Sequence, residues 1–267
     1  MKCSLVLLLI FALSVQVNCL ISASANPLIL NRVINGHPGT PGSAPYHAHI
    51  LIRQNQDDGA RVGSGCLISM THVLTTAQNV RTFSHWEIGV GNVERDRLEW
   101  REATQALAHP LFDHNTLNNN IAIITVMQPF IAGFFVEAIS MPLPTDIQVP
   151  FPNAHCRFDG FGFTGPTGPF SDQLLMGIKH VTTDQVCAQT YPHIAHSLVN
   201  NFCAQGLQFE STFCQGDQGT ALVSMVRFRL VVVGLASFTD GRCQGNIPGV
   251  FVRVTAYRNW IQQNTGL

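Results

Sequence analysis

The chain has 267 residues, of which 46% are hydrophobic and 12% charged, and a formal net charge of −1. That is ample apolar material for one large all-β domain or two small ones, and it excludes a disordered chain. Lys2 and Lys179 are the only lysines and no basic run is present, which argues against a nucleic-acid partner.

Met1-Lys2 followed by the apolar run from Leu5 to Val17 reads as a secretory signal peptide, too short to span a bilayer comfortably. Cleavage is expected after Cys19 or after Ala25, giving a leader over 1–25, a short propeptide over 26–32 and a domain over 33–267. The alternative is an uncleaved anchor. No second hydrophobic span follows, so the product is expected to be secreted, extracellular and off the membrane. Of 8 cysteines, Cys3 and Cys19 lie in the leader; Cys66, Cys156, Cys187, Cys203, Cys214 and Cys243 remain. An even set in an oxidising compartment points to disulfides, but spacing alone does not choose the pairs.

Runs rich in Val, Ile and Phe follow in order: Ala48 to Arg53, Val62 to Ser69, Trp86 to Val93, Ile121 to Met127, Leu174 to Thr183, Thr220 to Val226, Leu230 to Phe238 and Val250 to Thr255. Bounded by Gly, Pro, Asn and Asp, they predict the strands of a barrel or sandwich. Pro142, Pro144, Pro150 and Pro152 exclude a regular element there and mark a connection between two halves. Gly160 to Pro169 reads as an irregular loop. Tyr257 to Gln263 is the one predicted helix, with Tyr257, Trp260 and Ile261 on one face.

Cys214-Gln215-Gly216-Asp217-Gln218-Gly219-Thr220-Ala221 resembles the nucleophile loop of the chymotrypsin-like serine proteases, with glutamine where the serine would stand. Arg32-Val33-Ile34-Asn35-Gly36 resembles that family's activation junction. Gly65-Cys66-Leu67-Ile68-Ser69, Leu74-Thr75-Thr76-Ala77, Asn120-Ile121-Ala122-Ile123, Gly160-Phe161-Gly162, Ser237-Phe238, Pro248-Gly249-Val250-Phe251 and Tyr257-Arg258-Asn259-Trp260-Ile261 follow in family order. The resemblance covers about Val33 to Gln263. It implies an all-β fold of two antiparallel six-stranded β-barrels with a C-terminal α-helix and a cleft between the barrels.

By the same resemblance, cleavage after Arg32 would free the Val33 amine to pair with buried Asp217, and a buried ammonium needs such a partner. The three catalytic positions fall on Gln78, Asn120 and Gln218. Acyl transfer by this route needs a hydroxyl, an imidazole and a carboxylate, and a carboxamide is neither a base near neutral pH nor a useful nucleophile. No catalytic residue is therefore assigned, and the chain is expected not to be an enzyme. Gly216, Gln218 and Gly219 are expected to keep an oxyanion-hole-like turn. Thr212, Phe213, Ser237, Thr239 and Gly249 fall on the specificity pocket, where threonine supplies no acidic floor and the Phe213 ring either fills the pocket or packs in the core.

The resemblance pairs Cys187 with Cys203 and Cys214 with Cys243. It leaves Cys66 opposite Asn79 and Cys156 opposite Ser224, hence unpaired, and burial is expected for both. His72, His85, His109, His114 and Asp113 flank the lost positions, and Ser211 and Ser224 are spare hydroxyls; these read as surface, turn or structural residues. His193 with His196, and His47 with His49, have ligand-like spacing but no accompanying motif, so neither a metal nor a cofactor is expected.

These readings converge on a non-catalytic serine protease homologue that binds a secreted or extracellular protein, a protease or protease substrate among them. It would act as a regulator, cofactor or decoy in a protease cascade, in immunity or in a secreted fluid, and it is expected to be a monomer. The alternatives are a serine-type endopeptidase with a displaced catalytic set and a carrier of an apolar ligand in the cleft.

Overall fold

The computed structural model describes residues 36–54, 59–146, 149–207 and 211–267. Residues 1–35, within which the expected leader, propeptide and Arg32-Val33 junction fall, lie outside the described residues.

The first half of the chain supplies β1 (His37–Pro38), β2 (His47–Arg53), β3 (Arg61–Leu67), β4 (His72–Thr75), β5 (His85–Val90), β6 (Glu99–Ala103), β7 (Gln105–Ala108) and β8 (Ala122–Thr125). The second half supplies β9 (His155–Gly160), β10 (Leu175–Val181), helix α1 (Asp184–Thr190), β11 (Asn201–Gly206), β12 (Ala221–Val226), β13 (Arg229–Phe238), β14 (Gly249–Arg253) and helix α2 (Arg258–Thr265).

One sheet runs β6-β5-β2-β3-β4-β8-β7, and only Thr104 separates β6 from β7. That bent strand closes a ring, so the sheet is a barrel of six. The other sheet runs β1-β10-β11-β14-β13-β12-β9 and closes through a β9–β10 pairing, with β1 added on the outside of β10. Two antiparallel barrels and a terminal helix result, and the proline-rich segment connects them between β8 and β9.

Each barrel has its own interior. Ile50, Leu67, Ile88 and Ile124 fill the first, and Phe158, Phe202, Phe251 and Val233 the second. A third cluster, with Tyr46, Cys66, Phe161, Leu235 and Tyr257, lies between them. Helix α2 ends at Gly266, whose φ of 76° lets its N–H reach back to the Gln262 carbonyl, a conformation glycine adopts without steric cost. Tyr257, just before α2, donates to Asn119 Oδ1 at 2.9 Å, and its ring and that of Trp260 both pack against His109, edge-on and tilted. The helix thereby pins the loop that carries Asn120.

The sequence reading is incomplete in two places. Helix α1 was not predicted, because it is only seven residues long; Thr183 caps it by accepting from Val186 N, and the Cys187–Cys203 bond holds it. Strands β1, β4, β6, β7, β9 and β11 also fall outside the predicted runs. Strand β6, Glu-Trp-Arg-Glu-Ala, illustrates why: it is charged along its length and exists by pairing residue for residue with β5.

Strand β2 shows the strongest departure from pattern. Its alternation puts Ala48, Ile50 and Ile52 inward, so His47 and His49 should face water. Instead they are 4% and 1% exposed, because this outer face lies against the second barrel. His47 Nδ1 lies 2.6 Å from Asp159 Oδ1, Tyr46 donates to Asp159 Oδ2 at 2.9 Å, and Arg157 donates to the Tyr46 hydroxyl at 3.1 Å. Burial and the Asp159 charge hold the Tyr46 hydroxyl well above its ordinary pKa. Burial drives the His49 imidazole down to about 3, so it stays neutral.

A buried carboxylate with such partners is costly to remove, since its neighbours lose their acceptor. Asp159→Ala is expected to lower the unfolding free energy by about 3 kcal/mol, read from the urea midpoint. A loss below about 0.5 kcal/mol, the scale of an ordinary surface change, would show that this seam does not hold the barrels together.

Candidate functional site

The loop between Cys214 and Ala221 is shaped by its glycines and by one carboxylate. Gly216 and Gly219 have φ of 94° and 93°, and a Cβ at Gly219 would lie 2.1 Å from the Ser64 carbonyl. Only glycine fits there. Asp217 Oδ1 accepts from Gly162 N at 2.8 Å and Oδ2 from Cys214 N at 3.0 Å. A Cβ at Gly160 or Gly162 would fall 2.0 Å or 2.4 Å from that carboxylate, which accounts for the glycines of Gly160-Phe161-Gly162. Burial pushes the Asp217 carboxyl up to about 7, against the opposing pull of the two backbone donors.

The first barrel grips the same loop from the other side. Ser64 donates through its hydroxyl to the Gly216 carbonyl at 2.8 Å and through its N–H to the Gln218 carbonyl at 2.9 Å. Asn79 Nδ2 donates to the Gln218 carbonyl at 2.7 Å and to Thr75 Oγ1 at 3.0 Å, and Thr75 Oγ1 donates to the Ser64 carbonyl at 2.7 Å. In the sequence, Asn79 stands only as a missing cysteine partner, Ser64 as part of a predicted strand and Thr75 as part of Leu74-Thr75-Thr76-Ala77, none of them as a site residue. The available signal was a polar residue, Asn79, standing opposite buried Cys66.

The three carboxamides divide their hydrogen bonds between donors and acceptors inside the protein. Asn120 accepts from Gln78 N at 3.1 Å and donates to Ser237 Oγ at 2.9 Å. Gln78 Nε2 donates to the Ser237 carbonyl at 3.0 Å. Gln218 Oε1 accepts from Gly216 N at 2.9 Å, so the donor expected to form an oxyanion-hole-like turn is already used by this chain's own side chain. Gln78 and Asn120 meet at Ser237, and Gln78 and Gln218 line one cleft of about 730 Å³.

The expected specificity pocket is closed. Thr212 and Phe213 are 0% and 1% exposed, and a Cβ at Gly249 would lie 2.5 Å from the Phe213 ring. Phe213 also meets Phe251 edge-on at 5.2 Å in the core of the second barrel. Phe213 is thus a core residue of the second barrel. Below it lies Lys179, whose amine donates to the Ser211 carbonyl at 3.0 Å beside the rings of Phe158 and Phe213; burial lowers it to about 7. Thr239 stands apart, accepting from Gly241 N at 3.3 Å.

Cys187–Cys203 and Cys214–Cys243 are joined, and Cys66 and Cys156 are free and buried. Burial raises both free thiols, Cys156 to about 11. Of the flanking histidines, His114 lines the cleft, while His72 is bonded to Ser69, His85 is buried in β5 and His109 meets Tyr257 edge-on and Trp260 at a tilt. Asp113 spends its carboxylate on the Thr116 hydroxyl and Asn115 N. Ser211 Oγ and Ser224 Oγ each donate to a backbone carbonyl, of Ile178 and His155. Among the described residues, no three His, Cys, Asp or Glu side chains converge to hold a metal ion.

Comparison with known proteins places this geometry in context. Residues 33–261 match the family model described as Trypsin. Granzyme-like protein 1 of Rattus norvegicus is 28% identical over 86% of this chain and 90% of its own length. Trypsin of Sus scrofa is 28% identical over 87% and 95% respectively. The solved structure of HL collagenase aligns with a TM-score of 0.78 at 26% identity, covering 87% of this chain and 98% of that one.

Asp217 offers a direct test of the loop's design in the single-chain protein. Between the ordinary carboxylate pKa and about 7, the folded state holds a proton that the unfolded chain releases, so stability falls as pH rises through that window. From about pH 5 to about pH 7 the expected loss is on the order of 2 kcal/mol, levelling off above. Asp217→Asn is expected to flatten this profile in urea melts; an unchanged slope would assign the dependence to another group.

Proposed function

Since the chain belongs to the trypsin family of serine proteases, we propose that it uses the family's frame to bind a protein rather than to cleave one. One observation carries this reading: the carboxamides at 78, 120 and 218 spend their hydrogen bonds on Ser237, Gln78 N–H and Gly216 N–H, and among the described residues they leave no proton-transfer pair facing the cleft. Losing the nucleophile or base alone costs on the order of 10⁶ in turnover in such a mechanism. Here both are replaced, together with the carboxylate that would orient the base.

A displaced catalytic set finds little support. Asp113 is committed to Thr116 and Asn115, and the spare hydroxyls of Ser211 and Ser224 are donated to backbone. The two disulfides suit an oxidising, extracellular setting. A role as regulator, cofactor or decoy in a protease cascade, in immunity or in a secreted fluid follows from a protease-shaped surface without turnover. Cleavage at Arg32-Val33 belongs to the same proposal, as the step that would bring the Val33 amine to Asp217.

After cleavage at Arg32 by a trypsin-like enzyme, the protein is expected to take up no fluorophosphonate label and to hydrolyse no member of a quenched peptide library above the buffer blank. Labelling of any serine, or turnover that survives repurification, would sink the reading.

A further inference from the structure

The described residues that line the cleft include Arg61, Arg81 and His114 and no carboxylate. Both arginines are exposed. Seven other arginines form ion pairs, at 53, 95, 97, 101, 227, 229 and 242, and neither Arg61 nor Arg81 does so among the described residues. Instead the Arg61 guanidinium lies over the Phe83 ring at 5.3 Å and the Arg81 guanidinium over the Phe112 ring at 6.0 Å. Stacking on a ring face fixes a guanidinium while leaving its N–H edge available to a carboxylate.

The usual routes by which this cleft would hold a peptide are spent. Gly216 N–H and the Ser237 carbonyl are bonded to Gln218 and Gln78, and Phe213 fills the pocket for a single inserted side chain. What remains for recognition is the wall: cationic edges set on aromatic faces. A volume of about 730 Å³ holds a few side chains of an extended segment rather than a folded surface.

We propose that this cleft binds extended acidic peptide segments, alternating Asp or Glu with aromatic residues, on a partner protein. The carboxylates bridge to Arg61 and Arg81 and the rings pack on Phe170 and beside the arginine-covered Phe83 and Phe112. This inference rests on the reading of the chain as a non-catalytic binder. Asp57 and Asp58, which precede Arg61 in sequence, lie outside the described residues; Arg81 is accordingly the decisive position.

The test uses the full chain and a fluorescein-labelled peptide alternating aspartate with phenylalanine, beside versions carrying asparagine or lysine in place of aspartate, read by anisotropy. The aspartate peptide is expected to bind at least ~10-fold tighter than the asparagine one, with the advantage shrinking as salt rises. Arg81→Glu is expected to weaken binding roughly 10-fold and Arg61→Glu to weaken it in the same direction, while Arg97→Glu, outside the cleft, leaves it unchanged. Near-UV circular dichroism checks folding; should a reversal fail to fold, Arg81→Gln and the salt titration of the parent decide.

Equal affinity for the aspartate and asparagine peptides, no effect of Arg81, or tighter binding of a heparin fragment overturns the proposal. Mass spectrometry of the recovered peptide separates the two levels. Intact peptide without acidic preference removes this inference alone, whereas cleaved peptide removes the non-catalytic reading beneath it.

Discussion

The Asp217 carboxylate is 1% exposed and accepts two backbone N–H groups, from Gly162 and Cys214. Such a group either keeps a proton or finds a cation, because a lone buried charge is too costly. Burial raises its pKa to about 7, although the two backbone donors and His47 pull the other way. The surrounding glycines follow from this one group. Gly160 and Gly162 leave room for it, and Gly216 and Gly219 let the chain turn around it. Gln218 is presented to the cleft by that turn.

The same loop is the hinge between barrels. In place of a disulfide from Cys66, the first barrel offers Ser64, Thr75 and Asn79, which donate in a connected set ending on the Gly216 and Gln218 carbonyls. Hydrogen bonds of this kind hold only where all members are satisfied, and here each hydroxyl and amide has a partner. Farther back, the Arg157–Tyr46–Asp159–His47 chain forms a second polar seam. Two polar seams around the cluster of Phe161 and Leu235 fix how the barrels meet, and so fix the cleft.

A carboxamide carries both a donor and an acceptor, and the site exploits that duality. Asn120 faces a hydroxyl with its NH₂ and a backbone N–H with its oxygen. Gln78 and Gln218 each use one end to cap a backbone group that borders the cleft. The three carboxamides are therefore compatible with the barrel frame around them.

Much of the fold was legible in the sequence because barrel strands alternate and because ordered motifs resemble one family. Residue types at 78, 120 and 218, the cysteine set and the glycines of the loop were likewise plain from the chain alone. Short paired elements such as β6 and α1 were not, since their stability comes from partners rather than from pattern. Nor were the burial of His47 and His49, or the facing of Arg61 and Arg81 across rings from other segments. Gln78 meets Ser237 across 159 positions and Asn79 meets Gln218 across 139. The sequence by itself determined which groups the site contains; only the tertiary structure decided which hydrogen bonds they spend on one another and which edges stay open, because both depend on contacts between barrels that no local stretch encodes.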